Sequence, residues 1–177
     1  MKFIALPIAL MLVSLSTFKT LADSPIAFAI HGGAGTITKA NLTAEKEAEY
    51  RHKLKESVTA GFEILKAGGT SEEAVIKAIQ IMEDSPLFNA GLGAVFTWDG
   101  EHELDASIMR GQDKQAGAVA GVKRTKSPIA AAQLVMNKSE HVMLSGKGAD
   151  AFAEQNGVAM VDNSFFDTER RKRALEK

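Results

Sequence analysis

The stretch from Glu83 to Phe96 marks the point where the pattern of the chain changes. Before it, apolar residues recur at helical spacing, and after it short apolar runs are separated by turn residues, as in strands. Pro86 cannot continue a helix, and Gly91 and Gly93 permit tight turns and a close approach of the backbone. The stretch therefore predicts a helix-to-strand junction, either an ordinary loop with two turn glycines or a loop shaped to bind something.

Two helices are predicted before this junction. Residues 44–67 repeat apolar side chains along one face and end at Gly68-Gly69, a common helix terminus. Thr70 and Glu73 match a capping box at the start of a second helix. The side chains expected to face the core are Tyr50, Leu54, Val58, Phe62 and Leu65, then Ala74, Val75, Ala78, Ile79 and Met82.

Short apolar runs elsewhere predict strands that alternate with helices. Asp99-Gly100 is a typical hairpin turn pair, and Ser127-Pro128 is typical of a helix start. Asp105 lies inside one predicted strand, either buried with partners or on an outward polar face. Strands are expected at 26–30, 94–98, 102–109, 115–123 and 141–145, and further helices at 128–137 and from about 146 to 157. The order of elements predicts an α+β fold.

Composition and charge exclude several classes of function. The sequence contains no cysteine, which excludes disulfides, a thiolate nucleophile and cysteine-bound zinc or iron–sulfur clusters. The net charge of −1 gives no basic field for nucleic acid. The 177 residues are enough for one domain, or for most of one.

Residues 1–22 have the features of a secretory signal. Lys2 precedes an apolar run from Phe3 to Val13, and Thr20-Leu21-Ala22 provides a small-residue cleavage site. The apolar run is too short to span a bilayer. We expect export with cleavage after Ala22, to the periplasm in a Gram-negative source. A buried N-terminal helix is the alternative.

The sequence shows no complete catalytic constellation. His31-Gly32-Gly33-Ala34-Gly35 follows a predicted strand and can present backbone N–H groups to an anion or oxyanion. The esterase partner of such a turn, a Gly-x-Ser-x-Gly elbow, does not occur in the sequence, and the four histidines are scattered. Considered alone, the chain is either a binding protein or an incomplete enzyme.

Several ordered motifs together resemble one enzyme family, the plant-type L-asparaginases, also called isoaspartyl or β-aspartyl peptidases. The similarity covers about residues 25–168 and is to the α subunit. The motifs, in order, are His31-Gly32-Gly33-Ala34-Gly35, Pro86-Leu87-Phe88-Asn89-Ala90-Gly91-Leu92-Gly93-Ala94-Val95-Phe96, His102-Glu103-Leu104-Asp105-Ala106-Ser107-Ile108-Met109, Gly117-Ala118-Val119-Ala120-Gly121-Val122, Pro128-Ile129-Ala130-Ala131-Ala132 and His141-Val142-Met143-Leu144-Ser145-Gly146.

The resemblance implies an N-terminal nucleophile (Ntn) hydrolase with a four-layer αββα sandwich. In such enzymes the precursor cleaves itself before a threonine, which becomes the first residue of a separate β subunit. The threonine hydroxyl is the nucleophile, and its own α-amine is the base. The resemblance therefore implies a β subunit from the same precursor, an (αβ)2 heterotetramer and a small-molecule or dipeptide substrate. No catalytic residue is expected on this chain, and no nucleic-acid or membrane partner.

The resemblance also assigns supporting roles within this chain. Asn89 corresponds to an asparagine that helps to place the nucleophile, and Gly32 and Gly33 correspond to a mobile turn near the scissile bond. A structural sodium ion is implied, bound by backbone carbonyls. Those carbonyls belong to Met82, Glu83, Ser85, Phe88, Ala90 and Leu92.

The last residues differ in character from the rest of the chain. Phe165 and Phe166 can anchor the segment, and residues 167–177 are densely charged. This composition predicts a solvated helix face or a flexible linker before the β subunit. A site for trimming by a trypsin-like protease is the alternative. We therefore divide the chain into a signal (1–22), the α-subunit part of one domain (23–166) and a linker (167–177).

Two other functions stay open at this point. One is a glycosylasparaginase, a member of the same superfamily that acts on sugar-linked asparagine. The other is a non-catalytic secreted binding protein or an inactive relic, which predicts no second chain. A half-sandwich folded alone would leave a large apolar sheet face in water, which disfavours the second alternative.

Overall fold

The structure is a computed structural model that describes residues 25–33 and 42–176. The predicted signal, residues 1–22, lies outside the described residues, as do Ala34 and Gly35. The elements in chain order are α1 (Ala44–Lys66), α2 (Ser71–Glu83), β1 (Leu104–Met109), β2 (Ala116–Val122), α3 (Pro128–Lys138), β3 (Met143–Ser145), α4 (Gly146–Gln155) and α5 (Glu169–Leu175), with short 3-10 turns at Gly91–Gly93 and Asn163–Phe166. The α+β class is confirmed.

Helices α1 and α2 form an antiparallel hairpin. The capping box at the start of α2 is present, with Glu73 N–H bonded to Thr70 Oγ1 and Thr70 N–H bonded to the Glu73 carboxylate. Between the helices, the buried Ser57 hydroxyl donates to the Ala78 carbonyl oxygen at 2.8 Å. Phe62, predicted to face the core, is 38% exposed. The buried residues of α1 are Tyr50, which was predicted to face the core, and the small residues Ser57 and Gly61.

Three strands form one mixed sheet in the order β1-β2-β3. β1 pairs with β2 antiparallel, and β2 pairs with β3 parallel. A register irregularity lies beside Asp105, which is exposed and accepts a hydrogen bond from Gly121 N–H at 2.8 Å. Asp105 therefore lies on an outward face, the second of the two alternatives, and its carboxylate holds the irregular pairing of β1 with β2.

The core lies between the sheet and helices α2, α3 and α4. Ile108, Val119 and Val122 point into it from the sheet, and Ile129 and Val135 meet them from α3. Gly117 brings the helix very close, because a methyl group added there would lie 2.2 Å from the Ala132 carbonyl oxygen. The absence of a side chain at this position therefore sets the distance between β2 and α3.

The opposite face of the sheet carries small and apolar residues. Met109 and Met143 are 65% and 51% exposed, Met109 pairs with Ala116, and Ala118 pairs with Met143. Ser107 is exposed on the same face. The described residues thus bury one face of the sheet and leave the other facing outward.

Two predicted strands are wrong. Among the described residues, 26–30 and 94–98 belong to no strand, and Ile26 is 46% exposed. A strand exists only where a neighbouring strand takes its backbone hydrogen bonds, and β1 to β3 are the only strands the described part supplies. The turn at Asp99-Gly100 does form, with Thr97 N–H bonded to the Glu101 carbonyl oxygen.

The remaining elements differ from the predictions mainly at their ends. Strand 141–145 is shorter than predicted, and the strand expected over 102–109 begins at Leu104. Trp98 lies at the turn beside Asp99 and is 96% exposed. No helix within the described ranges is long and apolar enough to cross a bilayer.

Candidate functional site

The entrance to the loop is fixed by Glu83 at the end of α2. Its buried carboxylate accepts hydrogen bonds from the Ser127 hydroxyl at 2.6 Å and from Ile129 N–H at 2.9 Å. Glu83 thus caps α3 from another helix, and Ser127, predicted to cap α3 with its own side chain, donates to Glu83 instead. Burial raises the pKa of Glu83, and the two hydrogen bonds act against that rise.

Two glycines bring the ends of the loop from Glu83 to Phe96 close together, so that this loop forms a closed ring. Gly91 has a φ of +49°, and a methyl group there would lie 2.3 Å from the Glu83 carbonyl oxygen. At Gly93 the same addition would lie 2.0 Å from the Phe88 carbonyl oxygen. Side chains at either position would push the two ends of the loop apart. The glycines therefore do more than turn the chain, because they let the two ends of the loop approach closely.

Five of the six carbonyls that the resemblance implies as sodium ligands belong to this ring, and that of Met82 lies in the last turn of α2. Met82 and Ala90 carbonyl oxygens accept backbone hydrogen bonds from Ser85 and Gly93. Uncharged carbonyl oxygens on a closed loop fit a hard monovalent cation better than a transition metal. Within the described residues, no group of three or more His, Asp or Glu side chains could hold a metal ion. Main-chain oxygens are thus the kind of ligand present here, and a sodium ion at them stays a prediction.

Asn89 lies at the exposed apex of the ring with its amide held in one orientation. Its Oδ1 accepts a hydrogen bond from Val95 N–H at 2.9 Å. Because the Val95 group is a donor, the oxygen of the amide is assigned to that side. The Nδ2 group is then the part of Asn89 that can donate to another molecule.

The turn at Gly32-Gly33 meets the loop on its inner side. A methyl group at Gly32 would lie 2.9 Å from the Leu54 side chain and 3.5 Å from the Phe88 ring. Gly33 has a φ of +114°, which favours glycine, and its N–H donates to His31 Nδ1 at 3.3 Å. The structure thus brings Gly32 beside the residue that precedes Asn89.

A cavity of about 260 Å³ lies beside the same turn. Residues 28–31 form one wall, α2 forms another, and Ala90 closes it near the loop. Its lining is largely apolar, with His31 as the titratable member. Asn89 is not among the residues that line this cavity.

Distant residues that the sequence analysis missed hold the loop from outside. The Tyr50 hydroxyl donates to the Leu87 carbonyl oxygen at 2.9 Å and accepts from Arg170 at 2.8 Å. Arg171 Nε donates to the Gly93 carbonyl oxygen at 2.7 Å. Burial, and then the neighbouring Arg170, lower the pKa of Arg171. Sequence spacing carries no signal for these contacts, since Tyr50 and Arg170 are 120 residues apart.

The buried imidazole of His102 provides a second link from the loop. His102 Nδ1 lies 3.1 Å from the Val95 carbonyl oxygen, and Nε2 lies 3.1 Å from the Asp167 carboxylate. The Phe96 ring lies against the imidazole, with centroids 4.1 Å apart. His102 therefore joins the segment after the loop to the start of the C-terminal segment.

A larger cavity, of about 640 Å³, lies at the ends of β2 and β3 but has no such organisation. Asp150 at its base is buried and accepts from the backbone N–H groups of residues 123–125 and from the Thr125 hydroxyl. Lys123 pairs with Glu101 and Glu103 at its rim. These groups mostly satisfy one another, so the glycine loop is the better candidate site.

The sequence matches the family described as Asparaginase over residues 24–177. The chain belongs to the asparaginase family. It is 47% identical over 147 residues to an isoaspartyl peptidase of Salmonella typhimurium, which covers 83% of this chain and 47% of that protein. It is 45% identical over 151 residues to a plant-type L-asparaginase of Pyrococcus abyssi, a match that covers 85% of this chain and 47% of that protein. It is 41% identical over 155 residues to an isoaspartyl peptidase/L-asparaginase of Mus musculus, a match that covers 88% of this chain and 46% of that protein.

These matches confirm the resemblance found in the motifs. The chain spans about half the length of the curated asparaginase-family relatives it matches. The glycine loop and Asn89 lie within the matched residues of the family. Which groups of a complete protein complete the site is therefore a matter for proposal.

Proposed function

We propose that this chain is the α subunit of a threonine Ntn-hydrolase that cleaves β-aspartyl dipeptides and L-asparagine. The observation that carries the proposal is the closed glycine loop with Asn89 held at its apex, in a chain up to 47% identical to proteins named isoaspartyl peptidase. Each glycine costs conformational entropy on folding, so a loop that needs two of them to close is costlier than a plain connection.

Asn89 would act on the nucleophile of the second chain. With Oδ1 bonded to Val95 N–H, Nδ2 can donate to the hydroxyl of a threonine at the β-subunit terminus. That hydroxyl attacks the side-chain carbonyl of the substrate and gives its proton to the free α-amine of the same threonine. The amine or ammonia leaves with that proton, and water then releases aspartate from the ester.

The outward face of the sheet supports the proposed β subunit. Met109, Met143 and the alanines between them form an apolar surface that a second sheet could cover. Residues 26–30 are an apolar run that would become a strand if another chain supplied its hydrogen bonds. Autocatalytic cleavage of one precursor would deliver both chains, and an (αβ)2 heterotetramer is the proposed assembly.

A sodium ion is the proposed occupant of the ring of carbonyls. The main-chain oxygens of Met82, Glu83, Ser85, Phe88, Ala90 and Leu92 would hold it. A bound cation would stiffen the loop that carries Asn89. It would take no part in the bond-breaking step. Export to the periplasm likewise stays a prediction, based on residues 1–22.

The experiment is to isolate the complete protein from its source, sequence every N-terminus and measure hydrolysis. A second chain that begins with threonine, together with release of aspartate from β-aspartyl dipeptides and asparagine, would establish the proposal. Turnover of sugar-linked asparagine alone would assign a glycosylasparaginase. A folded single chain that hydrolyses none of these substrates would reject the enzyme and leave a binding protein or relic.

A further inference from the structure

The end of the chain folds back onto the loop that carries Asn89. Phe166 is fully buried in the core and fixes the chain at the point where the charged segment begins. Asp167 then reaches His102, and α5 follows directly. The segment therefore has a firm anchor at one end, and its contacts with the loop lie beyond that anchor.

Two cationic side chains of α5 bind main-chain oxygens at the two ends of the loop. Arg170 donates to the Leu87 carbonyl oxygen at 3.3 Å and to the Tyr50 hydroxyl, which itself bonds to Leu87. Arg171 donates to the Gly93 carbonyl oxygen at 2.7 Å. Leu87 and Gly93 bracket Asn89, so α5 bridges the loop on both sides of this residue.

A separate line of hydrogen bonds reaches Asn89 from the same segment. Asn89 Oδ1 holds Val95 N–H, the Val95 carbonyl oxygen faces His102 Nδ1, and His102 Nε2 faces Asp167. Both ring nitrogens of His102 thus face hydrogen-bond acceptors. Lys172 also lies 3.4 Å from the Asp167 carboxylate, which ties α5 to this line.

The docking of α5 depends on polar contacts. None of its seven residues is buried, and its C-terminal Leu175 is 44% exposed. Release would therefore expose little apolar surface, whereas it would break the bonds to Leu87, Gly93 and Tyr50. A segment held in this way can leave the loop while Phe166 stays in place.

We propose that residues 167–175 are a releasable clamp that holds the Asn89 loop in its closed shape, with Arg171 and Asp167 as positioning residues. Its effect on hydrolysis rests on the proposed function, but its effect on the loop does not. With the clamp docked, the Asn89 amide keeps one orientation. With the clamp released, the loop keeps its bond from Tyr50 but loses those from Arg170 and Arg171, and Asn89 loses that fixed orientation.

The test measures hydrogen exchange of residues 86–96 in the complete protein as its source produces it. Arg171→Gln removes the bond to Gly93. The matched control is Arg173→Gln, because Arg173 Nε bonds only to the Glu169 carbonyl oxygen of its own helix in the described contacts. Loop exchange should rise about tenfold in Arg171→Gln, as expected for loss of one charge-assisted bond. It should stay unchanged in Arg173→Gln, and residues 128–138 should exchange as before in both.

Hydrolysis of a β-aspartyl dipeptide provides the second measurement. Arg171→Gln should lower kcat with little change in KM, and Arg171→Lys should restore part of it. Asp167→Asn should also raise the hydrogen exchange of the loop. If Arg171→Gln does not fold, Asp167→Asn is the variant to compare with Arg173→Gln. Equal loop exchange in Arg171→Gln, Asp167→Asn and Arg173→Gln would overturn the clamp. If loop exchange rises in Arg171→Gln and Asp167→Asn but not in Arg173→Gln, while the unaltered protein hydrolyses no substrate, the clamp is supported and the proposed function is rejected.

Discussion

Helix α3 and the Asn89 loop are held to the rest of the molecule by contacts of different kinds. α3 packs apolar side chains such as Ile129 and Val135 against the sheet, and Gly117 lets the two backbones touch. The loop is closed by glycines and held by single hydrogen bonds from Tyr50 and Arg171. Apolar packing resists any local change, whereas polar contacts can be lost one at a time.

This difference predicts that damage beside α3 affects the whole fold and damage in the loop affects the site. Gly117→Ala should have the largest effect. Its methyl group would lie 2.2 Å from the Ala132 carbonyl oxygen and 2.4 Å from Met136 N, and neither backbone group can move alone. We expect a loss of about 3 kcal/mol in the free energy of unfolding, measured with urea.

Gly111→Ala is the matched control for this change. Nothing lies within 4 Å of the position a methyl group would take at Gly111. Gly111→Ala should unfold at nearly the same urea concentration as the unaltered protein. Equal stability of Gly117→Ala and Gly111→Ala would show that β2 and α3 are farther apart than they are in this structure.

Gly91→Ala should come next and should separate stability from activity. The new methyl group meets the Glu83 backbone, and the φ of +49° disfavours any side chain. We expect about 2 kcal/mol of destabilisation and loss of most hydrolysis by the complete protein. Gly148→Ala, in open space at the start of α4, is the control. Full activity in Gly91→Ala would argue against a closed ring.

Glu83→Gln tests the junction between the two regions and depends on pH. Because burial raises the pKa of Glu83, the folded protein binds a proton that the unfolded chain has released. This stabilisation is present below the ordinary carboxyl pKa and is lost as pH rises through the raised value. Urea unfolding at several pH values should show the stability of the wild type, relative to Glu83→Gln, declining over that window.

Glu154→Gln, at an exposed position of α4, is the control for Glu83→Gln. A pH-independent difference between wild type and Glu83→Gln would mean that the Glu83 carboxyl is solvated.

Substitutions of Asn89 should have the smallest effect on stability. Asn89→Ala frees an exposed Val95 N–H and should lower the free energy of unfolding by about 1 kcal/mol or less. Asn89→Asp keeps the acceptor for Val95 but lacks the Nδ2 donor. Both variants should lose hydrolysis, measured as aspartate release, and only Asn89→Ala should loosen residue 95 in hydrogen exchange. Activity in Asn89→Asp would show that the donor is not used.

The helices were predictable because their signals are local. Thr70 and Glu73 form the predicted capping box, and α1 ends one residue before the predicted end. The absence of a strand at 26–30 could not be predicted, because an apolar run specifies a tendency to pair but not the presence of a partner strand. The paired strands β1 and β2 were predicted within about two residues, since each provides the hydrogen bonds of the other.

The candidate site was predictable in its loop and not in its supports. Gly91 and Gly93 are recognisable in the sequence, and the family match includes them. The contacts of Arg171 and His102 join segments far apart in the chain, and a densely charged run normally indicates solvation. Only the folded arrangement shows that α5 lies against the loop.

The position of Trp98 has a practical consequence for experiments on this protein. It is the single tryptophan of the sequence and is 96% exposed at the turn beside Asp99. Its indole is solvated in the folded chain as in the unfolded one, so its fluorescence would follow the loss of the core poorly. The same fluorescence would shift to shorter wavelength if another surface covered the turn, so Trp98 would report contact at this turn and not unfolding of the core.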